Sequence, residues 1–453
     1  MPTTTDESRA WRSTAHRRPD RRHSYPRGAS LPVGLPTQFH VLSFEGPDAY
    51  SRAGGIASRV TGLTRTLADT GHDTHLWFVG DPISPGHEVD GSLHLHRWCQ
   101  WLSRSCPAGV YDGEDAKRAD YAASLPPYLV SEMLLPHLAA GGRAVVLAEE
   151  WHTVDAVLHL DWLLRGRGVR HLVTILWNAN NTFGFSHVPW DRLAGAARIV
   201  TVSRYMKSLM GSHVDDVEVV PNGLPPDAYD EPDPEAVQSF SNRVRDRLCL
   251  AKVGRWDPGK RWLGAVEGVA ELKERGERPL LIARGGIEEH GREVFARANE
   301  LGLRVRERTQ REAGPSGLLE VLEDVDDVDV LSLTAPLSPA ACRLLFRGAA
   351  AVLADSEHEP FGLVGLEAMA VGGVACTGGT GEDYAKRGRN AIVLAGGDPR
   401  EMAGLLSHLR QWPEAVSTLA GCALETARDY AWHRVIDAHV LPLAQATVTS
   451  SHR

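Results

Sequence analysis

Short apolar runs alternate with segments of helical periodicity along the first half of the chain. Ile56, Val60, Leu63 and Leu67 recur at the spacing of one helix face. Gly71 follows them, where helices commonly end. Before and after this helix the apolar runs predict strands at 40–44, 76–79, 144–148, 172–177, 198–202 and 218–220. Strands that alternate with helices in this way are typical of a doubly wound parallel sheet.

The pattern breaks once and then starts again. A stretch rich in proline and acidic residues begins at Leu224, and we expect a linker over 224–245. Helical periodicity returns near 261–275 and 289–301. Further strands are predicted at 249–253, 280–283, 328–333, 350–354, 374–377 and 391–394. The sequence therefore predicts an α/β chain with two Rossmann-like domains, 38–223 and 246–429, that face a cleft.

Composition and charge narrow the class of protein. The 453 residues are 43% hydrophobic and carry a net charge of −9, which argues against nucleic acid as the main partner. No apolar stretch approaches the ~18–20 residues that span a bilayer. Residues 1–37 are rich in arginine and poor in apolar side chains, so we expect a disordered tail without a secretory signal. The six cysteines are scattered, which favours reduced thiols and a cytoplasmic location.

The segment from Glu359 to Glu367 carries the strongest chemical signal. It follows a predicted buried strand and opens a predicted helix near Phe361, Gly362 and Leu363. Free N–H groups and the helix dipole at such a start favour a phosphate. Carboxylates on either side can accept hydrogen bonds from the neighbouring hydroxyls of a ribose or a hexose. The segment therefore predicts a nucleotide-sugar site.

Two other loops carry groups suited to a diphosphate. Arg255 and Lys260 follow a predicted strand of the second half, and each charge-assisted hydrogen bond is worth roughly 1.5–3 kcal/mol. Gly54 and Gly55 separate a strand from a helix in the first half, with Arg52 beside them. Paired glycines let the backbone approach a ligand closely.

Polar residues at the ends of two first-half strands are candidates for acceptor contacts. Glu150 and His152 follow one strand, and Asn178 ends another. Side chains at the carboxyl ends of parallel strands face the ligand crevice. We therefore assign Glu150, His152 and Asn178 to the acceptor side.

Several of these motifs resemble a known family. Segment 359–367 resembles the E-x7-E signature of retaining glycosyltransferases of family 4, including its Phe-Gly and Glu-Ala-Met-Ala flanks. Segment 253–260 resembles the G-R-x-x-P-x-K loop of that family, while 50–56 and 150–153 resemble bacterial glycogen synthases. The resemblance implies the GT-B fold, with a last helix in 430–453 that crosses back to the first domain.

The resemblance also implies an activity. The implied activity is transfer of a sugar from a nucleoside-diphosphate sugar to a hydroxyl of a glycan or small glycoside. The transfer would retain the anomeric configuration and need no cofactor. Arg255 and Lys260 would grip the diphosphate, Glu359 the sugar hydroxyls and Glu367 the ribose. Backbone N–H groups at 361–363 and 54–55 would hold the phosphates.

The sequence departs from the family at three positions. Trp177 stands where relatives often have histidine, Glu149 replaces another histidine, and Arg52 replaces lysine. Trp177 and Glu149 leave open a non-catalytic nucleotide-sugar-binding subunit. The resemblance to the GT-B fold also leaves open two other enzymes, a nucleotide-sugar 2-epimerase and a glucan phosphorylase.

No metal site is predicted. His94, His96 and Cys99 offer zinc ligand types, but 93–96 alternates like a half-exposed strand. The acidic run 324–329 is similar to a DxD metal motif, but it precedes an apolar strand, where acids commonly occupy the solvated loop.

Overall fold

The computed structural model describes residues 36–445, and these form two α/β halves. The predicted tail 1–37 lies outside the described residues except for its last two, and the final part of 430–453 lies outside them as well. Among the described residues, no helix is long and apolar enough to cross a membrane.

The first half of the described chain is built on an eight-stranded sheet. Its spatial order is β3-β4-β2-β1-β5-β6-β7-β8, and only β3 runs antiparallel to its neighbour. The strands are β1 (Thr37–Leu42), β2 (Asp73–Val79), β3 (His87–Asp90), β4 (Leu93–Trp98), β5 (Arg143–Glu149), β6 (Val173–Ala179), β7 (Arg198–Thr201) and β8 (Val217–Val219).

The second half is built on a seven-stranded parallel sheet in the order β11-β12-β10-β9-β13-β14-β15. The described strands of this sheet are β9 (Leu248–Val253), β10 (Pro279–Arg284), β11 (Val305–Arg308), β12 (Val330–Leu333), β13 (Ala351–Ala354), β14 (Ala375–Thr377) and β15 (Ile392–Val393). Both sheets confirm the predicted doubly wound α/β class.

Helices cover both faces of each sheet. In the first half they are α1 (Gly55–Asp69), α2 (Gln100–Ser103), α3 (Glu114–Tyr128), α4 (Leu135–Ala139), α5 (Val154–Gly166), α6 (Trp190–Ala196) and α7 (Arg204–Met210). Those that follow are α8 (Pro234–Arg243), α9 (Trp262–Glu274), α10 (His290–Glu300), α11 (Pro315–Glu320), α12 (Pro339–Gly348), α13 (Leu363–Ala370), α14 (Pro399–Arg410), α15 (Pro413–Asp429), α16 (Trp432–Val435) and α17 (Leu441–Gln445).

Helix α1 shows how the apolar pattern becomes a packed face. Val60, Leu63 and Leu67 are fully buried and join Phe39 and Leu76 in one core cluster. Burial of each such side chain contributes roughly 1.5–3 kcal/mol. Residues 39–42 of β1 are all buried, as expected of a parallel strand that is covered on both faces.

The segment predicted as a linker, 224–245, contains the ten-residue helix α8. Asp233 caps this helix by accepting a hydrogen bond from the Glu235 N–H, and Phe240 is fully buried in a core cluster of the second half. Acidic and proline residues at a helix start are capping signals as well as loop signals, which explains the difference.

The chain returns to the first half at its end. Trp432, Ile436 and Val440 are buried in the same core cluster as α1 and β1. Leu224 accepts a hydrogen bond from the Trp432 N–H and donates one to the Tyr430 carbonyl. This is the place where the resemblance put the helix that crosses back.

Candidate active site

Loops from the two halves meet on one side of the molecule. The Ser203 hydroxyl, at the start of α7, donates to the Pro360 carbonyl at 2.6 Å. The Arg204 N–H donates to Asp383 at 2.8 Å, and Tyr205 Oη lies 3.1 Å from His358 Nδ1. A cavity of about 210 Å³ lies here, and Gly55 of the first half lines it together with residues of the second half. The cleft predicted between the halves is therefore present.

Most of the predicted donor residues line this cavity. Its lining includes Gly55, Lys260, Glu359, Phe361, Gly362 and Leu363. Gly362 caps α13 with an extended backbone, so the N–H groups of the first helical turn have no intrahelical partner. The sequence predicts a phosphate at this helix start, and that assignment stays a prediction.

Lys260 and Glu359 form an ion pair in the cavity wall. Lys260 ends a short 3₁₀ turn, which Asp257 starts by accepting from the Gly259 N–H at 2.8 Å. The Glu359 N–H donates to the Thr380 hydroxyl at 3.0 Å, which holds the loop in place. The sequence assigned these two side chains to different parts of the donor, and the structure brings them into direct contact.

Arg255 lies on the loop after β9 and is exposed. Its carbonyl accepts a hydrogen bond from the Trp262 indole at 2.7 Å, which fixes the backbone. Within residues 36–445 no polar partner of its guanidinium is found. Arg255 does not line the cavity, so the structure does not place this predicted catalytic residue beside Lys260 and Glu359.

Lys252, which lines the cavity, forms a buried ion pair with Asp355 that the sequence pattern does not predict. Lys252 Nζ donates to Asp355 Oδ1 at 2.6 Å, and both side chains are almost fully buried. The pair joins the ends of β9 and β13, the two strands that precede the site loops. A lysine inside an otherwise apolar strand was the available signal.

Glu382 is a second group that the sequence analysis missed. One of its oxygens accepts from the Thr380 N–H at 3.2 Å, and the other is buried without a partner in the described part of the chain. Burial, and then the nearby Glu359, raise the pKa of Glu382 to about 7. The Glu382 carboxyl group near Glu359 therefore gains or loses its proton close to neutral pH.

Glu367 lies in a different cavity from Glu359. Helix α13 begins at Leu363, so Glu367 sits just over one turn inside it and not two. It lines a cavity of about 290 Å³ together with Asp227 and Arg343. Burial, and then the charge of Asp227, raise the pKa of Glu367 to about 7. The two glutamates of the motif thus line two cavities that flank α13.

The glycine loop of the first half is arranged differently from the expectation. The Gly54 N–H donates to the Glu45 carboxylate at 2.8 Å, and the Ala57 N–H donates to the same oxygen at 3.1 Å. Glu45 is buried and also accepts from the Tyr111 hydroxyl at 2.7 Å. The start of α1 is therefore already occupied by a carboxylate, which corrects the predicted role of the Gly54 N–H.

Gly55 and Arg52, the other predicted donor residues of this loop, lie differently with respect to the cavity. Gly55 lines the cavity, whereas Arg52 is exposed and donates to the Pro47 carbonyl at 2.8 Å. Arg52 does not line the cavity, so the structure does not bring it to the other predicted donor residues.

The predicted acceptor residue Asn178 belongs to a buried polar network. Its amide donates to Glu149 at 2.7 Å, and Asn180 donates to the same oxygen at 2.8 Å. Arg59 completes the network with a contact of 3.1 Å to Glu149 and one of 2.7 Å to Asn222. The network ties α1, β5, β6 and the segment after β8 together. The Asn178 amide nitrogen donates within this network, while Asn178 Oδ1 has no partner within residues 36–445.

Glu150 is a strained residue directly after β5. Its φ is +67°, a conformation that residues with a side chain rarely adopt. Its carboxylate accepts from the Asn180 N–H at 2.6 Å, and burial raises its pKa to about 8. The side chain is therefore largely protonated at pH 7 and can donate a hydrogen bond.

His152 follows in the 3₁₀ turn Trp151–Thr153. Its Nε2 lies 2.6 Å from Glu114, and its ring stacks on Phe44. Burial lowers its pKa, although the Glu114 carboxylate opposes the shift. His152 Nδ1 is buried and lacks a hydrogen-bond partner among the described residues.

Trp177 points into the core of the first half. It is fully buried, its indole donates to the Glu150 carbonyl at 3.0 Å, and it packs edge-on against Trp190. The hydrogen bond from the Trp177 indole therefore stabilises the strained turn at Glu150.

Comparison with known proteins indicates the class of protein to which the chain is similar. No protein-family model matches the chain. The chain is 24% identical over 404 residues to D-inositol 3-phosphate glycosyltransferase of Thermobispora bispora, with 84% of this chain and 87% of that protein covered.

Two solved structures resemble it in fold. Sucrose-phosphate synthase of Thermosynechococcus elongatus gives a TM-score of 0.62 at 16% identity, covering 88% of this chain and 96% of that one. The α,α-trehalose-phosphate synthase (UDP-forming) of Burkholderia xenovorans, in complex with glucose-6-phosphate, gives 0.61 at 15% identity, with 90% and 99% covered.

These similarities confirm the predicted GT-B fold. Fold and curated relatives together indicate an enzyme of the glycosyltransferase class.

Proposed function

We propose that this protein transfers a sugar from a uridine-diphosphate sugar to a hydroxyl of a small polyol phosphate or sugar phosphate, with retention at the anomeric carbon. The observation that carries the proposal is the Lys260–Glu359 ion pair beside the start of α13. Membership of retaining family 4, independence of a metal and cytoplasmic location remain parts of the proposal.

The ion pair suits a donor that has a phosphate next to a sugar. A bound diphosphate competes with Glu359 for Lys260, because its two phosphate groups together carry two negative charges and the carboxylate carries one. Once Lys260 turns to the phosphate, Glu359 can accept hydrogen bonds from two sugar hydroxyls. Donor binding thus exchanges one internal ion pair for contacts on both sides of the bond that breaks.

The same groups stabilise the leaving group. As the bond from the anomeric carbon to the phosphate oxygen breaks, negative charge grows on the diphosphate. Lys260, Arg255 and the N–H groups at 362–364 stabilise this charge, which is the kind of stabilisation that contributes most in many enzymes. In a front-face reaction the acceptor oxygen bonds to the same face of the anomeric carbon, and its proton passes to the departing phosphate oxygen.

The second cavity accommodates the nucleoside. Glu367 is the carboxylate that would accept hydrogen bonds from the ribose hydroxyls, and the cavity of about 290 Å³ leaves room for a base. The choice of uridine rests on the trehalose-phosphate synthase, which is named as UDP-forming.

The acceptor class rests on the relatives and on the edge of the first sheet. One relative is named for inositol 3-phosphate, and the others are named as sugar-phosphate synthases. Among the predicted acceptor residues, Glu150 and His152 would contact the acceptor's hydroxyls. Asn178 would act through Glu149, since its amide already donates there.

The first test is transfer by a Lys260→Ala variant. Removal of one such donor to the transition state lowers kcat by roughly 10²–10³-fold. We expect that loss in a coupled assay of UDP release with UDP-sugars and a panel of inositol and hexose phosphates. Lys386→Ala, at an exposed position, is the matched control. A Lys260→Ala enzyme within twofold of wild type would contradict the proposal.

The products separate the alternatives. An α-linked product from an α-linked donor, seen by NMR, supports retention, and an inverted product refutes it. Conversion of the donor without an acceptor would indicate an epimerase, and phosphate-dependent glucan cleavage a phosphorylase. Donor binding without turnover on any acceptor would indicate a binding subunit.

A further inference from the structure

Histidines from four strands gather at the edge of the first sheet. They lie on one face of β1, β2, β4 and β3, and they are His40, His75, His94, His96 and His87. The strand register places His40, His75 and His94 in one row across the sheet, and it places His87 opposite His96. The group lies at the amino-terminal half of β2, whereas the active-site loops follow the carboxyl ends of the strands.

Three of these imidazoles are close enough to share one ion. His75, His94 and His96 each offer a ring nitrogen within 4.8 Å of the other two. The closest pair, His75 Nδ1 and His96 Nε2, is 3.0 Å apart. Two nitrogens bound to one tetrahedral zinc at about 2.1 Å lie roughly 3.4 Å apart. Small side-chain movements therefore bring the three nitrogens to coordination distance.

Asp73 supports the same arrangement from behind. Asp73 Oδ1 lies 3.3 Å from His75 Nε2, the nitrogen that does not face His96, and 3.5 Å from His94 Nε2. Among the described residues His75 Nε2 has no other partner, and its contact with Asp73 lies outside hydrogen-bond geometry. Asp73 is itself held by Gln38, whose amide donates to its other oxygen at 2.7 Å. A carboxylate on the far nitrogen of a histidine ligand is the usual way in which a metal-binding imidazole is oriented.

We propose that His75, His94 and His96 form a binding site for a divalent transition ion of the zinc class, with Asp73 orienting His75. Three imidazole nitrogens suit zinc, copper or nickel better than magnesium or calcium, which prefer oxygen ligands. The sequence pattern places His94 and His96 with Cys99 and predicts no site. In the structure Cys99 is buried beside the Lys117 carbonyl, and His75 of the neighbouring strand takes its place.

The proposed ion has a structural role. It joins β2 to the outer strand β4, and β4 carries the short exposed strand β3 at the edge of the sheet. Binding to the native state alone raises stability, by about 2.7 kcal/mol at a hundredfold excess over Kd. Glycosyl transfer should not require the ion, since the site lies away from the cleft.

The test is zinc binding by the full chain, purified without a histidine tag. The chain is first freed of metal with a chelator, then loaded with zinc and dialysed against metal-free buffer, after which we expect about one zinc per chain by mass spectrometry of the metal. We also expect a higher Tm when zinc is added back. His94→Asn is the test variant. The His94 side chain is 27% exposed, so its replacement disturbs the core less than replacement of the buried His75 or His96. The zinc affinity of this variant should fall at least tenfold, with an unchanged Tm in the absence of metal.

His171→Asn is the matched control, because His171 is exposed and lies in the short turn Arg170–Leu172. It should bind zinc as the wild type does. A wild-type chain that binds no zinc, or an equal affinity in wild type and His94→Asn, would overturn the proposal. Glycosyl transfer is measured in a separate assay. Its outcome tests the proposed function and leaves the zinc-binding result unchanged.

Discussion

The raised pKa of Glu367 leads to a quantitative prediction about nucleotide binding. If the ribose hydroxyls donate to Glu367, binding requires its ionised form. With a pKa of about 7, roughly one molecule in eleven is ionised at pH 6 and ten in eleven at pH 8. Glu367 alone should therefore make UDP bind about tenfold more weakly at pH 6 than at pH 8. This difference corresponds to about 1.4 kcal/mol.

The variant that tests this prediction is Glu367→Gln. Glutamine has nearly the same size as glutamate but has no ionisable group. UDP affinity of the variant should be lower at pH 8, by the roughly 1.5–3 kcal/mol of a hydrogen bond to a charged group. Its affinity should also lose the tenfold dependence on pH. The phosphate groups of UDP titrate near pH 6 in both proteins, so that contribution cancels in the comparison.

The assay is isothermal titration calorimetry of UDP at pH 6, 7 and 8, with Glu274→Gln as the control. Glu274 is exposed at the end of α9 and lies outside both cavities. If wild type and Glu367→Gln show the same pH dependence, the assignment of Glu367 to the ribose is wrong.

The unliganded protein offers a second check on Glu367. Burial raises its pKa from 4.5 to about 7, so the native state holds the proton more tightly than the unfolded chain. The resulting stability is fully present below pH 4.5 and is lost as the pH rises through 7. Glu367→Gln should therefore be more stable than wild type at pH 8 in urea unfolding, by at most about 3 kcal/mol. Equal stability would show that Glu367 is not held protonated.

Two further predictions concern the first half. Arg59→Ala leaves a buried carboxylate unpaired, so unfolding in urea should show a loss of about 3–5 kcal/mol. Arg65→Ala, which breaks an exposed ion pair, should cost at most about 1 kcal/mol. Gly62→Ala places a Cβ 2.2 Å from the Trp432 indole, which should cost about 1–3 kcal/mol and expose the C-terminal helices to proteolysis. Gly264→Ala has open space and should stabilise by about 0.4–1 kcal/mol. Equal effects within either pair would contradict the packing described.

The sequence determined the class of fold and the position of the donor loops. Apolar runs and helical periodicity are local properties, so β9, β13 and α9 were predicted close to their true bounds. The loops that carry Lys260 and Glu359 follow those strands directly, and parallel strands put their carboxyl ends on one side. The sequence alone therefore placed both side chains at one site.

The tertiary structure decided which groups contact each other. The Lys260–Glu359 pair, the Lys252–Asp355 pair and the carboxylate of Glu45 at the start of α1 all join residues from separate elements. Spacing along one element cannot specify such contacts, because they depend on the order and register of the strands. The histidine group at the sheet edge illustrates this, since it joins residues of β1, β2, β3 and β4, and a single segment shows only His94 and His96 of the proposed ligands.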